Sequence, residues 1–87
     1  MTFAIEFTKS AKKDMAALGR DVLRQVDKKI LALALNPRPR GTEKLKGADN
    51  LWRIRVGDYR VIYSVEEGRL LVLVIRIAHR REVYRGY

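Results

Sequence analysis

Arg53, Arg55 and Arg60 are spaced to act together on one anion. The run from Leu51 to Val56 alternates, with Arg53 and Arg55 on one side and Trp52, Ile54 and Val56 on the other. Tyr59 to Val65 alternates likewise, and the Gly57-Asp58 pair between the two runs has the signature of a two-residue hairpin loop. Such a loop sets the register. Val56 then faces Tyr59, Arg55 faces Arg60, Ile54 faces Val61 and Trp52 faces Tyr63, with Arg53 diagonal to Arg60. Like charges placed directly opposite lower stability, so a sheet shaped by stability alone would not set Arg55 against Arg60. The pairing points to a polyanion site, whereas Trp52, sharing its side with Ile54 and Val56, is expected in the core.

Beyond the last alternating run the chain reads Ala78-His79-Arg80-Arg81-Glu82-Val83-Tyr84. A strand over residues 69–77, antiparallel to 59–65, brings this end toward Arg60, so Arg80 can join the three arginines. His79 and Tyr84, with ordinary pKa values of about 6.5 and about 10, are the groups there able to move protons beside a bound phosphate. RNA carries its own nucleophile, the 2′-hydroxyl next to each phosphate. Its cleavage therefore asks only for positioning, proton transfer and stabilisation of the extra negative charge, with no metal required. Arginines supply the last of these and lower the pKa of a nearby tyrosine, which suits Tyr84 to be the base, with His79 as the alternative.

The chain's 87 residues suit one domain with one small core. Nineteen Lys and Arg against ten Asp and Glu give a formal charge of +9, which favours nucleic acid, an acidic protein partner, or both. From Arg38 onward arginine dominates, and its planar fork of donors matches phosphate, whereas the earlier lysines, Lys9, Lys12, Lys13, Lys28 and Lys29, read as solvated helix faces. There is no cysteine, hence no disulfide or thiol nucleophile, and a single histidine does not make a His-cluster metal site; no cofactor is expected. Met1 to Phe7 lacks the pattern of a signal peptide, and the longest apolar run, Leu70 to Ile75, is far short of the roughly 20 residues of a membrane span, so a cytoplasmic protein is expected.

Thr2 to Phe7 alternates as a first strand. Ala11, Met15 and Leu18 then mark a helix that Gly19 is expected to stop, and Asp21 is placed to cap a second, striped by Val22, Val26, Ile30 and Leu33 and ended by Asn36-Pro37. Residues 36–50 read as an ordered connector. Strands over 51–56, 59–65 and 69–77 follow, the last two joined across Glu67-Gly68. The expected architecture is α+β, with two helices packed on a mainly antiparallel four-stranded sheet in the order β-α-α-β-β-β.

Over essentially its whole length the chain resembles the RelE toxins of the RelE/ParE toxin–antitoxin superfamily. The resemblance is carried by the element order, by Lys44-Leu45-Lys46-Gly47, by the block Leu51-Trp52-Arg53-Ile54-Arg55-Val56-Gly57-Asp58-Tyr59-Arg60-Val61-Ile62-Tyr63, and by the ending Ala78 to Tyr84. It implies a ribosome-dependent mRNA endoribonuclease, acting in the ribosomal A site and silenced by a cognate antitoxin, with DNA reached only through the antitoxin complex. On that resemblance Arg53 and Arg55 grip mRNA together with Lys44, Lys46 and Arg81. Arg60 stabilises the transition state, Arg80 assists the leaving oxygen, and Tyr84 deprotonates the 2′-hydroxyl. The shorter tail before Tyr84 leaves His79 as a substitute. The alternatives are a ParE-like inhibitor of DNA gyrase and a non-enzymatic basic RNA-binding module.

Overall fold

The computed structural model describes residues 2–47 and 49–81. Its elements are β1 (Ala4–Phe7), α1 (Lys9–Ala16), α2 (Arg20–Ala32), β2 (Glu43–Lys44), β3 (Trp52–Val56), β4 (Tyr59–Glu66) and β5 (Leu71–His79). The strands form one sheet in the order β1-β5-β4-β3-β2. It has five strands rather than the expected four, because the connector contributes β2, and it is mixed, because β1 runs parallel to β5 while the other pairs are antiparallel.

Both helices lie against one face. Val26, Ile30 and Leu33 of the α2 stripe are fully buried with Ala11 of α1, against Ile54, Val56, Val61, Tyr63, Val65, Val72, Val74 and Ile77. Taking those aliphatic side chains out of water, at about 1.5–3 kcal/mol each, is the main force holding the layers together. Helix boundaries differ locally from expectation. Thr8 accepts from Ala11 N–H at 3.1 Å and caps α1, whereas Gly19, expected to stop α1, is the N-cap of α2, leaving Asp21 in the first turn. Helix α2 ends at Ala32, before Asn36-Pro37, in bonds such as Leu33 N–H to Ile30 carbonyl that tighten its last turn.

The β3–β4 hairpin takes the expected register throughout: Trp52 opposite Tyr63, Ile54 opposite Val61, Arg55 opposite Arg60 and Val56 opposite Tyr59. Gly57 carries φ +60° and Asp58 does not, the pattern of a type II′ turn. The β4–β5 connection is not a two-residue turn. Residues Glu67–Arg69 form a short 3₁₀ turn, and Leu70, not Gly68, takes the left-handed conformation, at φ 49° and ψ 51°. That conformation costs a non-glycine residue about 1 kcal/mol or more, offset in part by the Leu70 carbonyl accepting the Ala4 N–H at 2.7 Å and so anchoring β1.

One irregularity decides the site. The β4–β5 register slips between Ile62 and Tyr63, so that Ile62 faces Arg76 but Tyr63 faces Val74, and β5 carries one extra residue, Ile75. Helix α1 satisfies the displaced backbone: the Thr8 hydroxyl donates to the Ile75 carbonyl at 2.8 Å, and Asp14 Oδ2 accepts from Ile77 N–H and Arg76 Nε, both at 2.8 Å.

Candidate functional site

On the sheet face away from the helices, Gly41, Glu43, Arg53, Arg55 and Arg60 line a cavity of about 90 Å³. Strands β3 and β4 supply its three arginines by alternation, and β2 supplies Glu43 by pairing it with Arg53. Among the described residues two of the arginines form no ion pair: Arg55 Nε donates to the Gly57 carbonyl at 3.1 Å, and Arg60 donates to the Tyr59 carbonyl at 3.2 Å. These backbone acceptors let the opposed guanidiniums sit together without cancelling their charge. Arg53 instead donates to Glu43 at 2.8 Å, and this bond with its accompanying charge attraction holds the exposed Glu43 carboxyl below the usual range. Three guanidiniums and a single surface carboxylate leave this small cavity net cationic, with the chemistry that suits a phosphate-sized anion.

The sequence reading missed Glu43, because a two-residue strand leaves no periodic signal. The only sign of it was opposite charge in the connector, which becomes meaningful once β2 is paired with β3.

Lys44 does not join this cavity. It faces Trp52 across the β2–β3 pair, on the helix-covered side, with its ammonium 6.0 Å from the centre of the indole ring and Arg38 at 5.0 Å from the same centre. The expected core position of Trp52 holds, since it packs against the buried cluster. Lys46 is exposed beyond β2, away from the lining residues.

The approach of the β5 end to Arg60 holds as expected. Ala78 lies directly opposite Arg60, and the Arg80 N–H donates to the Asp58 carbonyl at 2.7 Å, seating Arg80 against the hairpin turn. Arg81, exposed, donates its N–H to His79 Nδ1 at 3.3 Å. Tyr84 lies outside the described residues. His79 stands opposite Tyr59, edge-on to that ring at 5.4 Å between centres, on the side of Val56 and Ile54. It lines a different cavity, with Asp14, Ala17, Leu18, Tyr59 and Ile77. The reason is the extra residue in β5. One added residue reverses the alternation, moving Ile77 and His79 to the helix side and Ala78 to the arginine side. His79 therefore lines the cavity beside Tyr59 and is not among the residues lining the arginine cavity.

Comparison with known proteins identifies the family. Residues 5–84 match the family model described as the ParE toxin of the type II toxin–antitoxin system parDE. The chain is 31% identical over 88 residues to the mRNA interferase toxin RelE of Escherichia coli K12, spanning 97% of this chain and 92% of that protein. It is 26% identical to toxin RelG of Mycobacterium tuberculosis, over 98% of this chain and 99% of that one. Its fold superposes on the toxin in the archaeal RelE–RelB complex of Pyrococcus horikoshii with a TM-score of 0.81 and 30% identity, covering 92% of this chain and 97% of that one. On the family match over residues 5–84 and these relatives, the chain belongs to the RelE family of toxins from type II toxin–antitoxin systems.

Proposed function

We propose that this toxin is an mRNA endoribonuclease that acts on translating ribosomes and is neutralised by a cognate antitoxin. The observation that carries the reading is the arginine cavity, which matches one phosphodiester in size and charge and holds two guanidiniums that, among the described residues, make no salt bridge. A similar protein named an mRNA interferase, and another solved with RelB, support the substrate class and the partner.

In this mechanism the RNA 2′-hydroxyl attacks the adjacent phosphorus while the bond to the 5′-oxygen breaks. Arg60, with Arg53 and Arg55, neutralises the charge building on the phosphoryl oxygens. Tyr84, as the phenolate, takes the proton from the 2′-hydroxyl, and Arg80 balances the charge on the departing 5′-oxygen, which leaves as an alkoxide and then takes a proton from solvent to become a hydroxyl. No water enters the bond-breaking step. Because the nucleophile belongs to the substrate and arginines carry the charge stabilisation, the reaction needs no metal ion.

A cavity this shallow does not by itself align flexible RNA. The ribosome supplies the in-line geometry, a contribution of several kcal/mol in pre-paid entropy, about 7–11 in the best oriented systems. The test is cleavage of mRNA on ribosomes with an empty A site beside the same RNA free in solution, the free RNA also with EDTA. Fast cutting on the ribosome, slow metal-independent cutting of free RNA, and ends bearing a 2′,3′-cyclic phosphate and a 5′-hydroxyl are expected. Rapid cutting of naked RNA, or 5′-phosphate ends, would falsify the mechanism.

The ParE description of the matching family model favours a second reading, inhibition of DNA gyrase. A supercoiling assay separates the two: the arginine cavity is then expected to be dispensable, whereas mRNA cleavage depends on it.

A further inference from the structure

Two rings meet behind the arginine cavity. Tyr59 and His79 are register partners on β4 and β5, on the helix side of the sheet, and both are partly buried. Each immediately precedes an arginine of the proposed chemistry, Arg60 after Tyr59 and Arg80 after His79. The imidazole makes a second contact. Its Nδ1 accepts the Arg81 N–H at 3.3 Å, where β5 ends and the chain turns helical at Arg80 and Arg81. An acceptor on the residue before a helical turn, bonded to the N–H two positions on, is the geometry of an N-cap, a role usually taken by Ser, Thr, Asp or Asn. The Arg80 N–H is held separately, by the Asp58 carbonyl at 2.7 Å.

We infer that His79 is a positioning residue for Arg80: seated on Tyr59 and capping the turn, it fixes the start of that turn relative to Arg60, and it does so only while Nδ1 is unprotonated. This rests on the reading of Arg60 and Arg80 as the arginines that stabilise charge at the phosphate and at the leaving oxygen. A side chain as long as arginine reaches an anion from many backbone positions, but it lowers a barrier only when its donors are held where the charge develops. The turn is pinned twice, the Arg80 N–H to the hairpin and the Arg81 N–H to the end of β5. Because Nδ1 accepts, the neutral ring carries its proton on Nε2. Protonation places a second N–H on Nδ1, facing the Arg81 N–H, and the cap is lost. The titratable groups facing the ring are Asp14 of α1 and Tyr59 of β4, which line a cavity with it. Asp14 Oδ2 already accepts from Arg76 Nε and the Ile77 N–H, and Arg80 and Arg81 are the charged residues that follow the ring.

The experiment compares the toxin, separated from its co-expressed antitoxin, with His79→Ala and His79→Asn. Asparagine is a strong N-cap residue that offers an amide oxygen near the position of Nδ1 and does not titrate. In ribosomal mRNA cleavage at about pH 8, His79→Ala is expected to lower kcat about tenfold with KM within about twofold, and His79→Asn to recover most of that loss, circular dichroism being unchanged in both. Between about pH 8 and about pH 5 the parent's rate divided by that of His79→Asn should fall several-fold, since only the parent titrates at this position and the effects of pH on the ribosome and on Tyr84 cancel in the ratio. Equal losses in the two variants would overturn the inference by assigning the imidazole itself to the chemistry. A fully active His79→Ala, a change in KM alone, or a ratio independent of pH would overturn it by leaving the cap without effect. Long-range ¹⁵N–¹H spectra of the imidazole test the cap without any substrate: the Nε2–H tautomer is expected in the neutral ring, and the Nδ1–H tautomer would remove the cap. A parent with the Nε2–H tautomer that never cuts mRNA defeats the proposed activity and with it the role of Arg80, whereas one that cuts mRNA with the Nδ1–H tautomer defeats this inference alone.

Discussion

At the scale of single residues the site is a contest for Arg53, Arg55 and Arg60. Arg60→Ala removes charge stabilisation at the phosphate and is expected to slow ribosomal mRNA cleavage by on the order of a hundredfold or more, with the fold intact because like-charge crowding is relieved. Arg24→Ala, exposed on α2, is the control and should change nothing. A circular dichroism spectrum showing an unfolded Arg60→Ala protein would count against the assignment. Glu43 acts in the opposite sense. Its carboxylate occupies Arg53 at 2.8 Å, and a phosphate must displace it. Glu43→Gln is expected to tighten binding of a short RNA oligonucleotide by a few-fold, read by fluorescence anisotropy at low salt. Weaker binding would show that Glu43 organises the cavity rather than competing for it.

At the scale of elements, α1 holds the bulged strand β5 in place beside β4, the strand that carries Arg60. Asp14 accepts both the Ile77 N–H and Arg76 Nε, and its removal leaves a backbone donor without its partner in a partly buried place. Asp14→Ala is expected to lower unfolding stability by roughly 2 kcal/mol, measured by urea denaturation, and Asp14→Asn by less, since an amide oxygen still accepts the Ile77 N–H. Equal stability of Asp14→Ala and the parent would sink the clamp. The connector has its own fastening: the Tyr63 hydroxyl donates to the Pro37 carbonyl at 2.7 Å, and burial pushes its pKa above the ordinary value. A buried tyrosine of this kind favours the neutral, folded state. Its contribution is complete below the unfolded-state pKa of about 10 and is lost as pH rises through the higher folded value. Alkaline unfolding should therefore accompany Tyr63 ionisation, followed by phenolate absorbance. Ionisation of all tyrosines near pH 10 with the fold intact would contradict this.

At the scale of the whole molecule, a formal charge of +9 makes every acidic partner arrive under long-range attraction. Antitoxin association is expected to be fast at low salt and to slow as ionic strength rises, while dissociation, governed by short-range contacts, changes little. Stopped-flow kinetics across a salt series checks this, and a salt effect confined to dissociation would refute it. Among the described residues no helix is long and apolar enough to cross a membrane.

The hairpin, its register and the arginine trio were legible in the residues alone, because a period of two and a Gly-Asp turn are local properties that leave only one pairing open. The core stripes of α1 and α2 were legible for the same reason. The partner of β1, the pairing of Glu43 with Arg53, the left-handed Leu70 and the side of the sheet on which His79 stands belong to the tertiary structure. Strand pairing across the chain is set by packing between segments far apart in sequence. A single extra residue in β5, paid for by Thr8 and Asp14 from a helix some sixty residues earlier, reverses every side chain after it. No local pattern near His79 carries that information, which is why the sequence set the histidine among the arginines and the fold sets it behind them.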